Sequence, residues 1–522
     1  MKNTLNSGRV REAGTLSKIF LLLVFLFLES NSYAAGQFST KFNTSDFLII
    51  LIPSLIILLV LYALKNVISL LKQELSQTDE SSGVLPASSE KLKDKIEELE
   101  ETKTVLFYIS LIIAFFYVCF TLVKGTNMES HVVEWLNLLV RWMHVVFGIA
   151  WIGASFYFNF LENSLNRTKD LREGIAGNLW AVHGGGFYYL EKYKTAPAEI
   201  PKDLHWFKYE SYFTWLSGFM LLVIVYYLDA KVYLIDPSVL DISSSAAISI
   251  GIGTLIVSWL FYDTLCKSPV AKNLILFGAV LFIFICGAAW FLLHVFSSRA
   301  AYIHVGAIIG TLMAGNVFRV IIPSQKAMVK AAKEGRPVDP SFGKNALLRS
   351  KSNNYFTLPV IFIMISSHFP STYGSAFNWV VLIGLSLVSV LVKHYLNLIE
   401  KGEKAVWILP AATAGIFALA FITAPKTKSV CKENAPATFT EVNAIITKRC
   451  VQCHSSKPTD DVLKIAPNGI MFDDPKTIIR LSERILARAV TTSTMPQANK
   501  THMTQEERDV IQCWIENGSK EE

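Results

Sequence analysis

Long apolar segments are the feature that most limits what this chain can fold into. A helix needs about 20 consecutive apolar residues to cross the hydrocarbon layer of a bilayer, which is about 30 Å thick. Hydrophobic residues make up 52% of the 522 residues, and charged residues only 17%. Apolar segments lie near 47–71, 104–124, 133–160, 211–228, 244–265, 273–296, 300–322, 355–370, 376–393 and 405–424. We therefore predict an all-α, polytopic transmembrane helical bundle embedded in a lipid bilayer.

The basic residues predict how this bundle is oriented. The two loops richest in Lys and Arg, 161–210 and 323–354, are expected on the cytoplasmic side. Alternation of the spans then places everything after Thr423 in the periplasm. The net charge of +7 belongs largely to such loops, so it does not indicate a nucleic-acid partner.

The N-terminus carries a targeting pattern. Residues 1–35 combine basic residues, the apolar core IFLLLVFLFL and a run of small residues, which predicts a signal peptide cleaved after Ala34 or Ala35, or an uncleaved signal anchor. Residues 36–127 are predicted to form an extension with two transmembrane spans and a charged cytoplasmic linker.

The tail contains a haem-attachment motif in the stretch KRCVQCHSSKPTDD. In Cys-x-x-Cys-His, Cys450 and Cys453 form thioethers with the haem vinyl groups. His454 becomes the proximal ligand of the haem iron, which is the predicted metal. Haem is attached to this motif on the periplasmic side of the bacterial membrane, where the loop charges also place the tail. Residues 436–522 are therefore predicted to be a class I-like cytochrome c domain with one covalent haem c.

The opposite face of the haem needs a second ligand. Met495, which precedes a proline, is the predicted distal ligand, and Met/His ligation favours a high reduction potential. The alternatives are Met503, His502 and Met471. The following TQEE is a helix-starting capping pattern that opens an amphipathic last helix.

Cys513 lies in this last helix and is interpreted as a small buried hydrophobe. A disulfide with Cys431 is the alternative for a tail outside the cytosol.

The third apolar segment contains ionisable residues that a lipid-facing helix would not carry. Arg141 and His144 lie well inside it, and they share one helix face with Gly148, Trp151 and Ser155. An ionisable group inside a membrane span is costly and is a functional candidate. The alternative is a polar stripe that packs against neighbouring helices, with Gly148 permitting close approach.

Further histidines are predicted near the periplasmic ends of their spans. His294, His304 and His368 lie at such ends, and His131 lies just outside the membrane. Together they suggest a substrate or metal site, although each one alone is more often a hydrogen-bonded structural histidine. On the cytoplasmic side, Gly184–Gly186 in an aromatic loop suggest a place where a ligand approaches the backbone, and the aromatic residues suggest an interfacial belt.

Five motifs in order resemble the membrane-bound bacterial urate hydroxylases, the urate oxidase N-terminal domain family fused to cytochrome c. They are EWLNLLVRWMHVVFGIAWIGASFYF, AGNLWAVHGGGFYYLEKY, HVGAIIGTLMAGNVFRVIIPSQ, NNYFTLPVIFIMISSH and CVQCHSSKPTDD followed by APNGIMFDDP. The resemblance covers the chain from Met128 to the C-terminus and leaves out the two N-terminal spans.

The resemblance implies an eight-helix membrane catalytic domain at 128–426 that oxidises urate, or a related purine, to 5-hydroxyisourate. Electrons pass to haem c and then to a soluble cytochrome or a terminal oxidase, at the bacterial inner membrane. Arg141 holds the urate anion, and a histidine accepts the proton and activates water. Since urate loses two electrons, a second redox centre or rapid re-oxidation of the haem is required. The H…W-x-G pattern at His144 resembles a haem-b-binding membrane oxidase of haem biosynthesis, which implies His144 as the ligand of a second haem and Arg141 as the partner of a propionate.

Two other functions fit the same segments. The main alternative is a non-catalytic, membrane-anchored cytochrome c subunit that relays electrons within a respiratory complex. A transporter with a redox-sensing tail is the third hypothesis, and the proline-containing spans permit it.

Overall fold

A computed structural model describes residues 65–75, 128–197, 199–424, 431, 437–461 and 463–521, together with single positions between 92 and 107. Two compact units divide the chain at Thr126. In the first unit a helix covers 65–75, and Lys72 Nζ donates to Glu100 Oε1 at 2.7 Å. The predicted signal sequence at 1–35 lies outside the described residues, as does most of the two N-terminal spans predicted near 47–71 and 104–124.

The second unit, Asn127–Glu522, begins with a bundle of helices. These are α1 Glu129–Ser164, α2 Tyr209–Leu222, α3 Ala230–Tyr233, α4 Ser244–Lys267, α5 Leu274–Leu293, α6 Ser298–Gly315, α7 Ile322–Lys333, α8 Pro340–Ser366, α9 Pro370–Tyr373, α10 Asn378–Glu400 and α11 Ile408–Ile422. Each apolar segment predicted from 133 onward falls on one of them. An eight-helix membrane core remains a prediction.

Five helical stretches of the described residues are long and apolar enough to cross a membrane. They are His131–Ser164, Ser244–Lys267, Leu274–Leu293, Ser298–Lys333 and Asn378–Glu400. The predicted span near 211–228 corresponds to α2 and the π-helical segment that follows it, Val223–Tyr227. The span near 355–370 forms the end of α8, whose first half is polar.

Helix α6 lies at the centre of the bundle. Tyr302, Ile308 and Leu312 on this helix are fully buried in a core shared with α2, α4, α5 and α8. Helix α1 lies at the edge, where Trp142 and Ile149 are each 68% exposed. Such an apolar outer face is one that lipid would cover.

A buried polar network fastens α4, α6 and α8 near one end of the bundle. Arg349 Nη2 donates to Asp263 Oδ1 at 2.6 Å. Asn316 Nδ2 donates to Tyr262 Oη at 2.9 Å and to Asn353 Oδ1 at 2.8 Å. Because each of these polar groups has a partner, the network fixes how the three helices pack.

Two π-helical segments interrupt the regular helices of the bundle. Val223–Tyr227 extends α2 and carries Tyr226 and Tyr227, and Asn316–Ile321 joins α6 to α7. Short π segments inside α-helices occur frequently at functional sites. The first of them therefore draws attention to the two tyrosines.

A β-hairpin between α1 and α2 corrects the prediction of an all-α fold. Strands β1 Ile175–His183 and β2 Gly186–Tyr193 pair antiparallel. Gly184 and Gly185 form the two-residue turn with φ of +56° and +79°, values that favour glycine in tight hairpins. The turn therefore accounts for Gly184 and Gly185, and a ligand that approaches the backbone is not needed to explain them.

The C-terminal module, residues 437–521 as described, is a small helical domain. Its helices are α12 Phe439–Arg449, α13 Pro475–Arg480, α14 Ser482–Ile485 and α15 Gln505–Glu516, with a π segment at Leu486–Thr491. The capping prediction for the last helix is confirmed, since Thr504 and Glu507 form a capping box. Arg449 Nη2 and Glu507 Oε1, 2.8 Å apart, link α12 to α15.

Cys513 is not the free hydrophobic residue that the sequence suggested. It forms a disulfide with Cys431, which ties the segment after the bundle to α15. The two cysteines are 82 residues apart, a separation at which sequence spacing gives no indication of pairing.

We expect the Cys431→Ser and Cys513→Ser variants to destabilise the C-terminal module, because the disulfide removes freedom from its unfolded state. The chain-entropy argument sets an upper value on the order of 4 kcal/mol for a loop of this size. Urea-dependent proteolysis of the full-length protein measures the shift, with Cys266→Ser as the control. Equal midpoints for Cys431→Ser and Cys266→Ser would contradict a stabilising disulfide.

Candidate functional site

The end of α12 folds the haem-attachment motif into one tight turn. The backbone N–H groups of Cys453 and His454 both donate to Cys450 O, at 3.1 and 2.8 Å. This brings the two thiols and the imidazole together over a single turn, as thioether attachment with axial ligation requires. The residues present therefore fit a covalently bound haem.

His454 is oriented by its own hydrogen bond. Its Nδ1 lies 3.0 Å from Ile470 O, so Nδ1 carries the proton and Nε2 is the nitrogen available to a metal ion. Burial lowers the pKa of His454, although the bond to Ile470 partly opposes that change. The neutral, iron-binding form is therefore favoured.

The two thiols of the motif are not predisposed to hold a metal ion themselves. Burial raises the pKa of Cys450 to about 12 and that of Cys453 to about 11, the latter with help from Asp460. Thiolates are the metal-binding and readily oxidised form of cysteine. The two cysteines are therefore held mainly as thiols, the form that does not bind a metal ion.

Among the predicted distal ligands, Met495 has the most suitable surroundings. Met503 is only 4% exposed within the core of the module, whereas Met471 is 42% exposed and His502 lies on the surface. Met495 is partly exposed, and its carbonyl accepts a hydrogen bond from Arg508 Nη1 at 2.8 Å. Distal ligation by Met495 remains a prediction.

The C-terminal module rests on the bundle through the segments on either side of Met495. A Cβ placed on Gly374, just after α9, would lie 2.7 Å from Thr494 Cγ2 and 2.8 Å from Thr492 Cβ. On the other side, Gln497–Asn499 packs against α3. Glycine at 374 thus allows the closest approach between module and bundle.

Tyr233, at the end of α3, is influenced by charged groups of both the bundle and the C-terminal module. Its hydroxyl is within electrostatic range of Cys453, Asp460 and Arg299. Burial raises the pKa of Tyr233, while the charge of Arg299 opposes that rise. The bundle residues around Arg299 are therefore close to the predicted haem.

Arg141 points toward this end of the bundle. Its Nη2 donates to Asn137 Oδ1 at 2.9 Å, and its guanidinium lies within electrostatic range of Arg299 and Tyr226. Tyr226 is 4% exposed and in turn lies near Tyr373 and Tyr233. Two arginines and several phenols therefore gather below the C-terminal module.

His144 faces α2 rather than the other predicted histidines. Its Nδ1 lies 3.0 Å from Thr214 O and 3.2 Å from Ser217 Oγ. A Cβ on Gly218 would lie 2.9 Å from the imidazole Cε1, so the close approach occurs there and not at Gly148. Ligation of a second haem by Nε2 of His144 remains a prediction.

His304 is the predicted histidine with the most distinctive environment. It is fully buried, its Nδ1 lies 2.8 Å from Ala300 O and its Nε2 lies 3.2 Å from Tyr227 Oη. Since Nδ1 donates to the carbonyl, Nε2 accepts from the phenol. Gly251 makes room for the pair, because a Cβ there would lie within 2.9 Å of both.

The other histidines predicted near the periplasmic ends of the spans do not lie beside His304. His294 is exposed, with its Nδ1 2.7 Å from Trp290 O, and His368 is exposed at the end of α8. His131 is also exposed and contacts Trp135. Within the described ranges, no three His, Cys, Asp or Glu side chains come together as a metal site.

Lys393 on α10 was not among the predicted residues. It is fully buried, and its Nζ has no hydrogen-bond partner and lies 3.6 Å from the ring centre of Phe156 on α1. The sequence could have indicated this residue, because Lys393 directly follows the apolar stretch LSLVSVLV. Arg299 was also missed, since it lies between two apolar segments and its sequence position alone indicates a loop.

Comparison with known proteins gives one finding. A family model described as urate oxidase N-terminal matches residues 130–424. No curated protein and no solved structure matches the chain at a significant level. The matched region begins in α1 and ends just after α11, so it contains Arg141, Tyr226 and Arg299 but not the haem-attachment motif.

We expect Gly374→Val to loosen the C-terminal module from the bundle, because the added side chain needs space that Thr492 and Thr494 occupy. Amide hydrogen exchange should rise at least about tenfold over 492–499. Thr494→Ala added to Gly374→Val should restore part of the protection. Gly343→Val is the matched control, since nothing lies within 4 Å of its Cβ position, and equal exchange in both valine variants would contradict this contact.

We expect the module to lose stability below pH 4.5 partly through Glu507. Its hydrogen bond with Arg449 lowers its pKa from the ordinary 4.5, so its contribution is present above that value and is lost as the pH falls through the lower folded-state pKa. Glu507→Gln should remove this part of the pH dependence. Hydrogen exchange of Gln505–Glu516 between pH 3 and 6 measures it, with Glu521→Gln as the control. An unchanged pH dependence in Glu507→Gln would contradict the assignment.

Proposed function

This chain belongs to the urate oxidase N-terminal family, and we propose that its bundle oxidises urate to 5-hydroxyisourate and delivers the electrons to haem c in the C-terminal module. The observation that carries the proposal is the gathering of Arg141, Arg299 and Tyr226 inside the family-matched region, next to Tyr233 and the Cys-x-x-Cys-His turn.

The reaction balances without molecular oxygen. Urate and one water give 5-hydroxyisourate, two protons and two electrons. The oxygen of the new hydroxyl group comes from water, which attacks the ring once the electrons have left. The site must therefore hold an anion, accept a proton and let the electrons leave one after the other.

The chain offers a group for each of the first two tasks. Arg141 holds the urate anion through charge-assisted hydrogen bonds from its guanidinium. His304 accepts the proton through Nε2, whose present partner is the Tyr227 hydroxyl at 3.2 Å. Ala300 O keeps the other ring nitrogen protonated, so the accepting nitrogen faces the tyrosines.

Cys450 and Cys453 would hold haem c through thioethers, and His454 and Met495 would ligate its iron. When bound, haem c would supply a one-electron acceptor that a soluble cytochrome or a terminal oxidase can re-oxidise. Two electrons from each urate then need two successive transfers, or a second redox centre such as a haem b on His144. The hydrogen bond from His454 to Ile470 supports the proximal assignment.

We further propose that the protein lies in a bacterial inner membrane with the C-terminal module in the periplasm. The five long apolar helices support the membrane location. The Cys431–Cys513 disulfide supports an oxidising compartment for the module. Both agree with the basic loops predicted on the cytoplasmic side.

The test is an anaerobic assay of the purified full-length protein with urate and ferricyanide as electron acceptor. We expect two ferricyanide ions reduced for each urate consumed, and label from ¹⁸O-water in the product. His454→Ala should lose most of the turnover, because the electron route through haem c is broken. Absence of urate consumption by a protein that contains haem would contradict the proposal and favour the relay subunit of a respiratory complex.

A further inference from the structure

Two guanidinium groups of the bundle, those of Arg141 and Arg299, lie within electrostatic range of each other. Arg299 occupies the first turn of α6, and its Nε is buried and has no hydrogen-bond partner. Arg141, from α1, lies within electrostatic range of it. In the described part of the chain, no carboxylate forms a salt bridge with either arginine.

Like charges brought together in a poorly hydrated place repel each other. A protein that keeps such a pair has a use for the positive potential, and the simplest is to bind an anion between them. The guanidinium of Arg141 donates to a neutral partner, Asn137, which leaves its charge uncompensated. The Nε of Arg299 is a donor that is removed from water and has no hydrogen-bond partner. A ligand that accepts a hydrogen bond from it would offset the free-energy cost of that desolvation.

The surroundings indicate what kind of anion fits. Tyr226 lies within range of both guanidinium groups, and Tyr233 and Tyr373 are its neighbours. Aromatic rings and planar guanidinium groups suit a flat, delocalised anion, which can accept paired hydrogen bonds at its edge and stack on its faces. A small inorganic ion would use the charge but not the rings.

We infer that Arg299 and Arg141 together form the binding site for the oxopurine monoanion, with Tyr226 lining it. The identity of the anion rests on the proposed function, whereas the existence of an anion site does not. Tyr233 lies within electrostatic range of both Arg299 and Cys453, so an anion bound at Arg299 would lie on the side of the bundle that faces the haem-attachment motif. Arg299, on α6, thereby becomes a second substrate-binding residue beside Arg141 on α1.

Direct binding tests this inference without turnover. The full-length protein is kept reduced with dithionite under argon, so that urate cannot be oxidised, and [¹⁴C]urate binding is measured by equilibrium dialysis. We expect Arg299→Gln to raise Kd about 10- to 100-fold, the usual effect of removing a hydrogen bond to a charged group. The Kd of Arg299→Lys should lie between those of the unchanged protein and Arg299→Gln, since lysine keeps the charge but lacks the planar guanidinium group.

Arg319→Gln is the matched control, because it removes the same charge from an exposed position further along the same continuous helix. A single monodisperse peak on size-exclusion chromatography at the elution volume of the unchanged protein shows that each variant has folded. If Arg141→Gln fails this check, Arg299→Gln still decides the question.

The outcomes separate this inference from the proposed function. Wild-type protein that binds and oxidises urate, with an unchanged Kd in Arg299→Gln, would overturn the inference alone. Wild-type protein that neither binds nor oxidises urate would overturn both. Normal urate affinity in Arg299→Gln, combined with a lowered haem content or a shifted haem reduction potential, would also overturn it and assign the arginine to the haem propionates.

Discussion

The contact of the C-terminal module with the bundle is the constraint on which the proposed electron transfer depends. The hydrocarbon layer of a membrane is about 30 Å thick, so a haem outside it can receive electrons directly only from groups near the same surface. Gly374 lets Thr492 and Thr494 approach the bundle, and α3 supports Gln497–Asn499 on the other side. The loop that carries Met495 is thereby held over the bundle.

Polar groups inside the bundle fall into two sets with different consequences. Arg349, Asp263, Asn316 and Asn353 satisfy one another and fix the packing of α4, α6 and α8. Arg299 Nε and Lys393 Nζ, in contrast, are buried without hydrogen-bond partners. Satisfied networks specify structure, whereas unsatisfied buried cations are candidates for binding a ligand or transferring a proton.

The lengths of the apolar segments predicted the helices of the bundle, because the thickness of the bilayer sets how long a membrane-spanning helix must be. The capping residues Thr504 and Glu507 predicted the start of the last helix for a local reason, since a cap depends on four neighbouring positions. The hairpin at 175–193 was missed although Gly184-Gly185 between aromatic strands is a hairpin signal. Its aromatic residues instead suggested a membrane interface.

Long-range contacts were beyond what one sequence can supply. The pairing of Cys431 with Cys513, the approach of Arg299 to Arg141 and the partnership of Tyr227 with His304 each join residues far apart in the chain. Depth within an apolar segment singled out Arg141, whose functional role remains a prediction, and it also grouped His294 and His368 with His304. The structure places only His304 in the interior, because the other two lie on exposed helix ends.

The most direct test of the account is the anaerobic absorbance spectrum of the oxidised, full-length protein before and after urate is added. Urate is the only reductant present, so bands of reduced haem c can arise only if electrons pass from urate to the module. The account predicts those bands. It also predicts their loss in an Arg299→Gln variant when the urate concentration lies well below the raised Kd of that variant. An unchanged spectrum in protein that dithionite reduces fully would contradict the account.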